Sequence, residues 1–383
     1  MMFLWTWMSR FAVAVGLLVS ALAQLCTPEY GYEGYAYIVN DQSDLDAIAA
    51  NCTTVNGTII MSANYTGGFN LSNIRNITEN IQWFQANRSD VRPQTTSIYL
   101  PDLKYLGGTL DMPGIPTLTS LIAPKLATVG WSLSIDYVQE VDLRSLVDLE
   151  YLSITGNVSS LRLDSLRQVR ESILICNKVS CNSKISPNGS LDLYLPALQS
   201  AGNMDLEGRF SSFDTPNLTN ITGLGALYYS IKLLTSGGSA INISFPELKY
   251  IPGGAVDFEG NIGSLSIPDI SNMSALFTVD AYDRLDINLP FQEAAYITLT
   301  GNITSVRLPN LTSIEQFTVN SDADIDCKSL EQTITTATNK SEPLVICSTS
   351  WTSSGSHFSL HLHLGAKVAF GVFIGIFVEF AMS

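Results

Sequence analysis

Histidine is nearly missing from this 383-residue chain: of three, none lies between Gln24 and Gly355. Without an imidazole there, neither a Ser-His-Asp triad nor a Cys-His pair has its base, and the commonest nitrogen ligand for zinc is gone. Basic residues are scarce too, 20 Lys and Arg against 35 Asp and Glu, for a formal net charge of −15. Setting aside Arg10, Lys367 and Glu379 in the terminal segments leaves 18 basic and 34 acidic residues, a net of −16. That balance opposes nucleic acid and anionic lipid and suits a soluble surface among neutral polysaccharides. Long apolar runs are also lacking, since the two longest fall short of the roughly 20 residues that cross a bilayer. No cofactor motif is present, and no cofactor or metal is expected.

Repetition is what the chain has in quantity. The stretch Leu152–Leu166 recurs at Met204–Leu218, Val256–Ile270 and Ile297–Leu311, each alternating apolar and polar residues on either side of a glycine. This reads as strand, tight corner, strand. Gly156, Gly208, Gly260 and Gly301 stand at the corners, where a Cβ would obstruct the turn. A finer repeat runs through Leu103, Leu126, Leu146, Leu166, Leu198, Leu218, Leu248, Ile270 and Leu311, mostly 20 to 23 residues apart. Such a period predicts a solenoid, in which each coil buries its apolar side only by stacking on the next. About ten coils at ~4.8 Å per rung give a rod of about 50 Å. The longer gaps of 30 and 32 residues hold inserted loops, and the 41-residue gap before Leu311 holds two coils.

The first residues carry one positive charge, then Phe11–Ala23 forms a 13-residue apolar run ending in small-x-small, the pattern of a secretory signal peptide. Six cysteines fit an oxidising compartment. Sequence alone allows fifteen pairings of six, but their positions fall into close pairs: Cys26 with Cys52, Cys176 with Cys181, Cys327 with Cys347. The outer two would clamp the ends of the solenoid, each contributing about 3 kcal/mol. Glycosylation sequons are dense. Besides Asn51, which adjoins a cysteine, they fall at Asn56, Asn64, Asn70, Asn76, Asn87, Asn157, Asn188, Asn217, Asn220, Asn242, Asn272, Asn302, Asn310 and Asn339. Asn157 and Asn302 follow corner glycines, and Asn261 holds the same corner without a sequon, so a hydrogen-bonded asparagine ladder competes there with a sugar.

An N-terminal lid is predicted between Ser43 and Met61. Ser43-Asp-Leu-Asp46 reads as a capping box with Asp in place of Glu, opening a short amphipathic helix to Asn51. After Cys52, Thr-Thr-Val-Asn-Gly-Thr-Ile-Ile-Met61 reads as a turn and a strand. This order of helix, Cys-Thr, x-Val/Ile, x-Gly and x-Leu/Ile resembles the first coil of the receptor L domain, the β-helical module of insulin and epidermal-growth-factor receptors. With Leu100–Gly108, Phe245–Gly254 and the segment from Asp326 to Cys347 added, the chain from about residue 26 onward resembles fungal cell-wall organisation proteins. Those are GPI-anchored, receptor-L-domain-like wall glycoproteins whose loss weakens the wall. The short Ser/Thr stretch before the tail departs from that pattern, since many relatives carry a long one.

Tyr30, Tyr32, Tyr35 and Tyr37 form a tyrosine-rich entry, read as packing over a solenoid end in preference to a sugar-stacking platform. Carboxylates gather at Asp280, Asp283 and Asp286 and again at Asp322, Asp324 and Asp326. A polysaccharide-acting enzyme would need one such pair as acid and base; the simpler reading is that alternating acids point outward and Asp326 precedes a cap helix. Neither run has the glycine and distal glutamate of an EF-hand.

After Cys347 come a Ser/Thr stretch, a spacer and the apolar tail Val368–Val378, only eleven residues between Lys367 and Glu379. This is the pattern of a GPI signal, with Ser354 as attachment residue and Ser353 and Gly355 as alternatives. The expected organisation is therefore a signal peptide over 1–23, a solenoid over 24–347, a short stalk over 348–354 and a removed propeptide over 355–383. The fold class is all-β, a parallel β-helix-like, receptor L-domain-like solenoid with short helical caps. The expected function is that of a non-enzymatic GPI-anchored surface glycoprotein contributing to cell-wall organisation and integrity. Its partners would be the membrane through the lipid, and wall polysaccharide through a covalent glucan link on the GPI remnant. A carbohydrate- or protein-binding receptor-like module is the alternative.

Overall fold

Alternating apolar and polar residues become short strands with their apolar side chains turned inward, and the computed structural model winds them into a β-solenoid of about 12 turns. The structure describes residues 24–31, 34–83, 91–178, 181, 189–223, 229–251, 253–338 and 344–349. The chain divides at Thr349 and Ser350 into two units, and the second lies outside the described residues. Two turns more than the ten expected are present, because the coils flanking the leucine series carry strands of the same ladder. About twelve rungs make a rod of about 55 Å.

Each turn has three sides. A short-strand face is formed by pairs such as Thr54–Val55, Asn76–Ile77, Tyr105–Leu106 and Thr128–Val129. A long-strand face follows, in parallel register from Thr58–Met61 through Ile81–Trp83 and onward to Leu344–Ser348. The third face begins with Thr66–Asn70, Gln94–Tyr99, Ser120–Ile122, Glu140–Asp142 and Ser160–Arg162. It continues through Leu191–Tyr194 on Phe210–Asp214 and Ile241–Ser244 on Ile262–Ser266. Among the described residues one strand pair is antiparallel, the small hairpin of Tyr30–Gly31 on Gly34–Tyr35.

Between the third and short-strand faces sits a tight turn, and here the leucine series acts. Leu126 N donates to Ala123 O at 3.1 Å, Leu146 N to Leu143 O at 2.9 Å and Leu166 N to Leu163 O at 3.2 Å. Where proline occupies the second turn position, as in Leu195-Pro-Ala-Leu198, its fixed φ presets the bend. All nine residues of the series are buried in one continuous core. Backbone bonds from Leu100 to Ile122, Ala123 to Asp142 and Leu143 to Arg162 bring successive turns to the same level, so Leu103, Leu126, Leu146 and Leu166 stack. In the 41-residue gap the missing position is filled by buried Phe291, after a turn one residue shorter. Toward the C-terminus the core becomes aromatic, with ring centroids 5.2 to 6.0 Å apart from Phe213 through Phe245, Phe258 and Phe277 to Phe291.

The corner glycines behave as read. Gly156, Gly208, Gly260 and Gly301 have φ of 142°, 147°, 120° and 85°, and a Cβ on any of them would come within 2.7 Å of the coil beneath. One expectation is corrected at the N-terminal helix, which runs Gln42–Asn51 and is capped by Asp41, not Ser43. Asp41 Oδ1 accepts from Ser43 N at 2.9 Å and Asp44 N at 3.4 Å, while Asp44 Oδ2 accepts from Asn40 N at 2.8 Å. A carboxylate carries full charge at the positive helix end, where a serine hydroxyl offers only a dipole. Leu45 and Ile48 bury themselves against the first coil, and Gln42 pairs with both backbone groups of Asn70, covering a strand end that would otherwise be open.

The three disulfides join Cys26 to Cys52, Cys176 to Cys181 and Cys327 to Cys347. The first ties the first strand to the end of its helix. The third ties the start of the C-terminal helix, Cys327–Thr338, to the last strand.

Candidate functional site

The acidic runs do not converge. Asp280 lies on the long-strand face opposite Thr300, Asp283 sits at the corner accepting from Asn261 Nδ2 at 2.8 Å, and Asp286 has passed onto the third face opposite Ser305. Hydroxyl donors from Thr304 and Ser305, both at 2.7 Å, hold the Asp286 carboxyl below its ordinary range. Asp322 and Asp324 are exposed, and Asp326 caps the C-terminal helix, its Oδ1 accepting from Ser329 N at 3.0 Å. Alternation turns each acid outward, and the corner then divides neighbours between faces. One surface groove of about 320 Å³ follows the stacked turns of Pro268, Pro290 and Pro309, and its lining contains no titratable side chain. Among the described residues no three His, Cys, Asp or Glu side chains stand close enough to share a metal ion.

A polar cluster that no motif announced lies on the outside of the long-strand face. Glu207, largely buried, is gripped by Lys232 and lies 3.6 Å from Lys178; Lys232 is also 3.6 Å from Asp205. Cys176, bonded to Cys181, lies opposite Glu207 on the neighbouring strand, and Lys178, two residues on, reaches Glu207. Burial pushes the Asp205 carboxyl up, with Lys232 opposing. Burial alone would lower the Lys232 ammonium, but Glu207 and Asp205 together raise it. The Lys232 ammonium stands 5.8 Å over the Tyr229 ring. Nearby, Tyr282 donates to Glu259 at 2.6 Å, and its phenol is pushed up first by burial and then by that bond. Partners on different strands are 23 to 29 positions apart in sequence and meet only because the coils are in register.

Twelve sequons fall among the described residues, and in all twelve the middle residue is buried. These include Cys52, Tyr65, Leu71, Ile77, Val158, Leu218, Ile221, Ile243, Met273, Ile303 and Leu311. The sequon is thus in phase with the alternation: the asparagine faces out and the residue after it is buried, and the hydroxyl residue faces out too except at Thr58, which is buried and donates to Glu79. Asn51, Asn56, Asn64, Asn70, Asn217, Asn220, Asn242, Asn272 and Asn310 are exposed, whereas Asn76, Asn157 and Asn302 are half-buried. Asn87, Asn188 and Asn339 lie outside the described residues. At the stacked turns, Asn217 Nδ2 donates to Pro196 O at 2.6 Å and Asn310 Nδ2 to Pro290 O at 3.3 Å. The sequon threonines Thr219 and Thr312 donate to Gln199 O and Gln292 O. Among the described residues no asparagine ladder joins the corners, where Asn261 bonds to Asp283 instead.

At the tyrosine-rich entry Tyr37 packs against the core, but Tyr30 and Tyr35 stand out from the hairpin as an edge-to-face pair with centroids 5.1 Å apart. Tyr32 and the attachment candidates Ser353, Ser354 and Gly355 lie outside the described residues. No helix among the described residues is long and apolar enough to cross a membrane.

The chain is 25% identical over 297 residues to Protein ecm33 of Aspergillus fumigatus, a match covering 63% of this chain and 72% of that one. No family model matches the chain, and no solved structure matches it at significance. The likeness agrees with the resemblance to fungal cell-wall proteins carried by the leucine repeats, and the solenoid has the L-domain-like form which that resemblance implies.

Proposed function

We propose that the chain is a non-enzymatic surface glycoprotein of a fungal cell wall, carried to the surface by its signal peptide and held there by a GPI anchor. The similarity to Protein ecm33 carries this reading. Ser354 is the attachment residue, with Ser353 and Gly355 as the nearest alternatives, and the lipid-borne remnant is the route to a covalent link with wall glucan. A stiff capped rod whose sequons all turn outward supports a glycosylated spacer. The separation of Asp280 from Asp286 on different faces argues against a glycoside-hydrolase pair, which needs two carboxyl groups flanking one bond. Sequential release from cells with phosphatidylinositol-specific phospholipase and with β-glucanase tests the anchor. Release by the phospholipase, or by β-glucanase from walls first stripped of non-covalently bound protein with hot detergent, supports it, and extraction by detergent alone removes it.

The alternative reading, a module that binds a ligand on one solenoid face, gains support from how the sequons are distributed around the rod.

A further inference from the structure

None of the twelve described sequon asparagines lies on the long-strand face. They fall on the short-strand face (Asn76, Asn220, Asn272), on or beside the third face (Asn64, Asn70, Asn242), and at corners, turns or the helix end. Yet the long-strand face has the other two elements of a sequon on three successive rungs. Leu276-Phe-Thr278, Tyr296-Ile-Thr298 and Gln316-Phe-Thr318 each place an outward residue, a core residue and an outward threonine, and each lacks only the asparagine.

Exposed tyrosines occur on every face, among them Tyr99 and Tyr194 on the third and Tyr105 on the short-strand face, and the bare face carries its own column. Tyr229, Leu276 and Tyr296, each a little under half exposed, belong to one outward column, Tyr229–Ala255–Leu276–Tyr296–Gln316. The Lys232 ammonium stands 5.8 Å over the Tyr229 ring, and Glu315 beside the Tyr296 hydroxyl pushes that phenol up. Tyrosines carry only two side-chain torsions and so lose little entropy on contact, and their faces suit the C–H surfaces of sugars. Beside them runs a column of threonines on three successive rungs, Thr278–Thr298–Thr318, about 4.8 Å apart, with Thr300 and Asn320 paired next to it. A surface that repeats by translation matches a polymer that does the same. The carboxylates of Glu259 and Asp280, adjacent on this face, disfavour an anionic chain and a second copy of the same face, while Asp205 and Glu207 are offset by Lys178 and Lys232.

From this we infer that the long-strand face adheres directly to a neutral glucan chain, independently of any covalent anchor. This rests on the wall location proposed above.

The test is co-sedimentation of the purified native glycoprotein with insoluble β-glucan particles. Gln316→Asn completes a sequon on the face, one rung beyond Tyr296 in the same outward column; Asp269→Asn completes one, Asn-Ile-Ser, at an exposed turn that resembles the one at Asn217. A mass shift confirms the added sugar, and Gln316→Ser controls for loss of the glutamine. Wild type, Asp269→Asn and Gln316→Ser should bind alike within about two-fold, and glycosylated Gln316→Asn at least ten-fold less. Tyr229→Ala with Tyr296→Ala should also weaken binding, with wild-type circular dichroism. The inference is overturned if wild type stays in the supernatant or if Gln316→Asn binds as wild type does. It is equally overturned if sedimentation velocity shows the face closing a dimer that Gln316→Asn dissociates. Because purified protein is used, a negative result leaves the enzymatic-release answer on anchoring untouched.

Discussion

Gly260 lies directly against the carbonyl of Thr235 on the preceding rung: a Cβ built on it would sit 1.6 Å from that oxygen. With φ at 120°, any side chain there is both strained and in collision. Gly260→Ala should therefore destabilise the protein by about 3 kcal/mol, read as a fall in the urea midpoint. Gly253→Ala, with nothing within 4 Å of the added carbon, should leave it within about 0.5 kcal/mol.

Lys232 answers for Glu207. Replacing it with Met keeps the stem that lies along Tyr229 but leaves a largely buried carboxylate with Lys178 alone, 3.6 Å away. The expected loss is about 3 kcal/mol, and Lys232→Met with Glu207→Gln should recover more than half of it. A cycle of thermal or urea unfolding on the three variants measures this; full additivity would show that the two side chains do not interact.

Acid should unfold the rod from its surface bonds. Hydrogen bonds from Lys125 to Asp102, Arg144 to Asp142 and Thr304 to Asp286 hold those carboxyls below the ordinary range. Each contributes stability that is complete above the unfolded-state value near 4 and is lost as pH falls through the lower folded value. Asp111 and Asp205, raised by burial, act in the opposite sense and become less unfavourable in acid. Urea midpoints should stay nearly flat from pH 7 to about 5 and fall below about 4. Asp142→Asn should lower the plateau and make the fall shallower, and an unchanged slope would assign acid sensitivity elsewhere.

Phe258 sits in the middle of the aromatic run, between Phe245 and Phe277. Phe258→Ala should cost about 4 kcal/mol. Since each rung touches only its neighbours, the loss should be local. Hydrogen exchange should accelerate around 231–301 while the rungs from 98 to 166 keep their protection. Uniform acceleration would mean that the rod unfolds as one unit.

Leucine spacing made the core legible in the sequence, because a turn of nearly fixed length puts Leu126, Leu146 and Leu166 at constant intervals, and the longer steps to Leu198 and Leu248 add loops without shifting the stack. Corner glycines were legible for the same reason: one steric requirement recurs at one place. Asp41 was missed as the helix cap because Ser43 offers an equally good pattern, and only the backbone path decides between them. The cluster of Lys178, Asp205, Glu207 and Lys232 left no trace, since its members lie on coils whose loops differ in length. Likewise, alternation fixed that sequon asparagines point outward, but which of three faces each one occupies depends on where the corners fall.

The bond between Cys327 and Cys347 changes what happens when the last strand is pulled. Force applied at Ser348 reaches Cys347 at once and crosses a covalent bond to Cys327, so the intervening helix bears no load. Tension then passes along the chain from Cys327 to Ser321, the end of the strand Ser313–Ser321, and the ladder between that strand and Leu344–Ser348 is largely relieved of it.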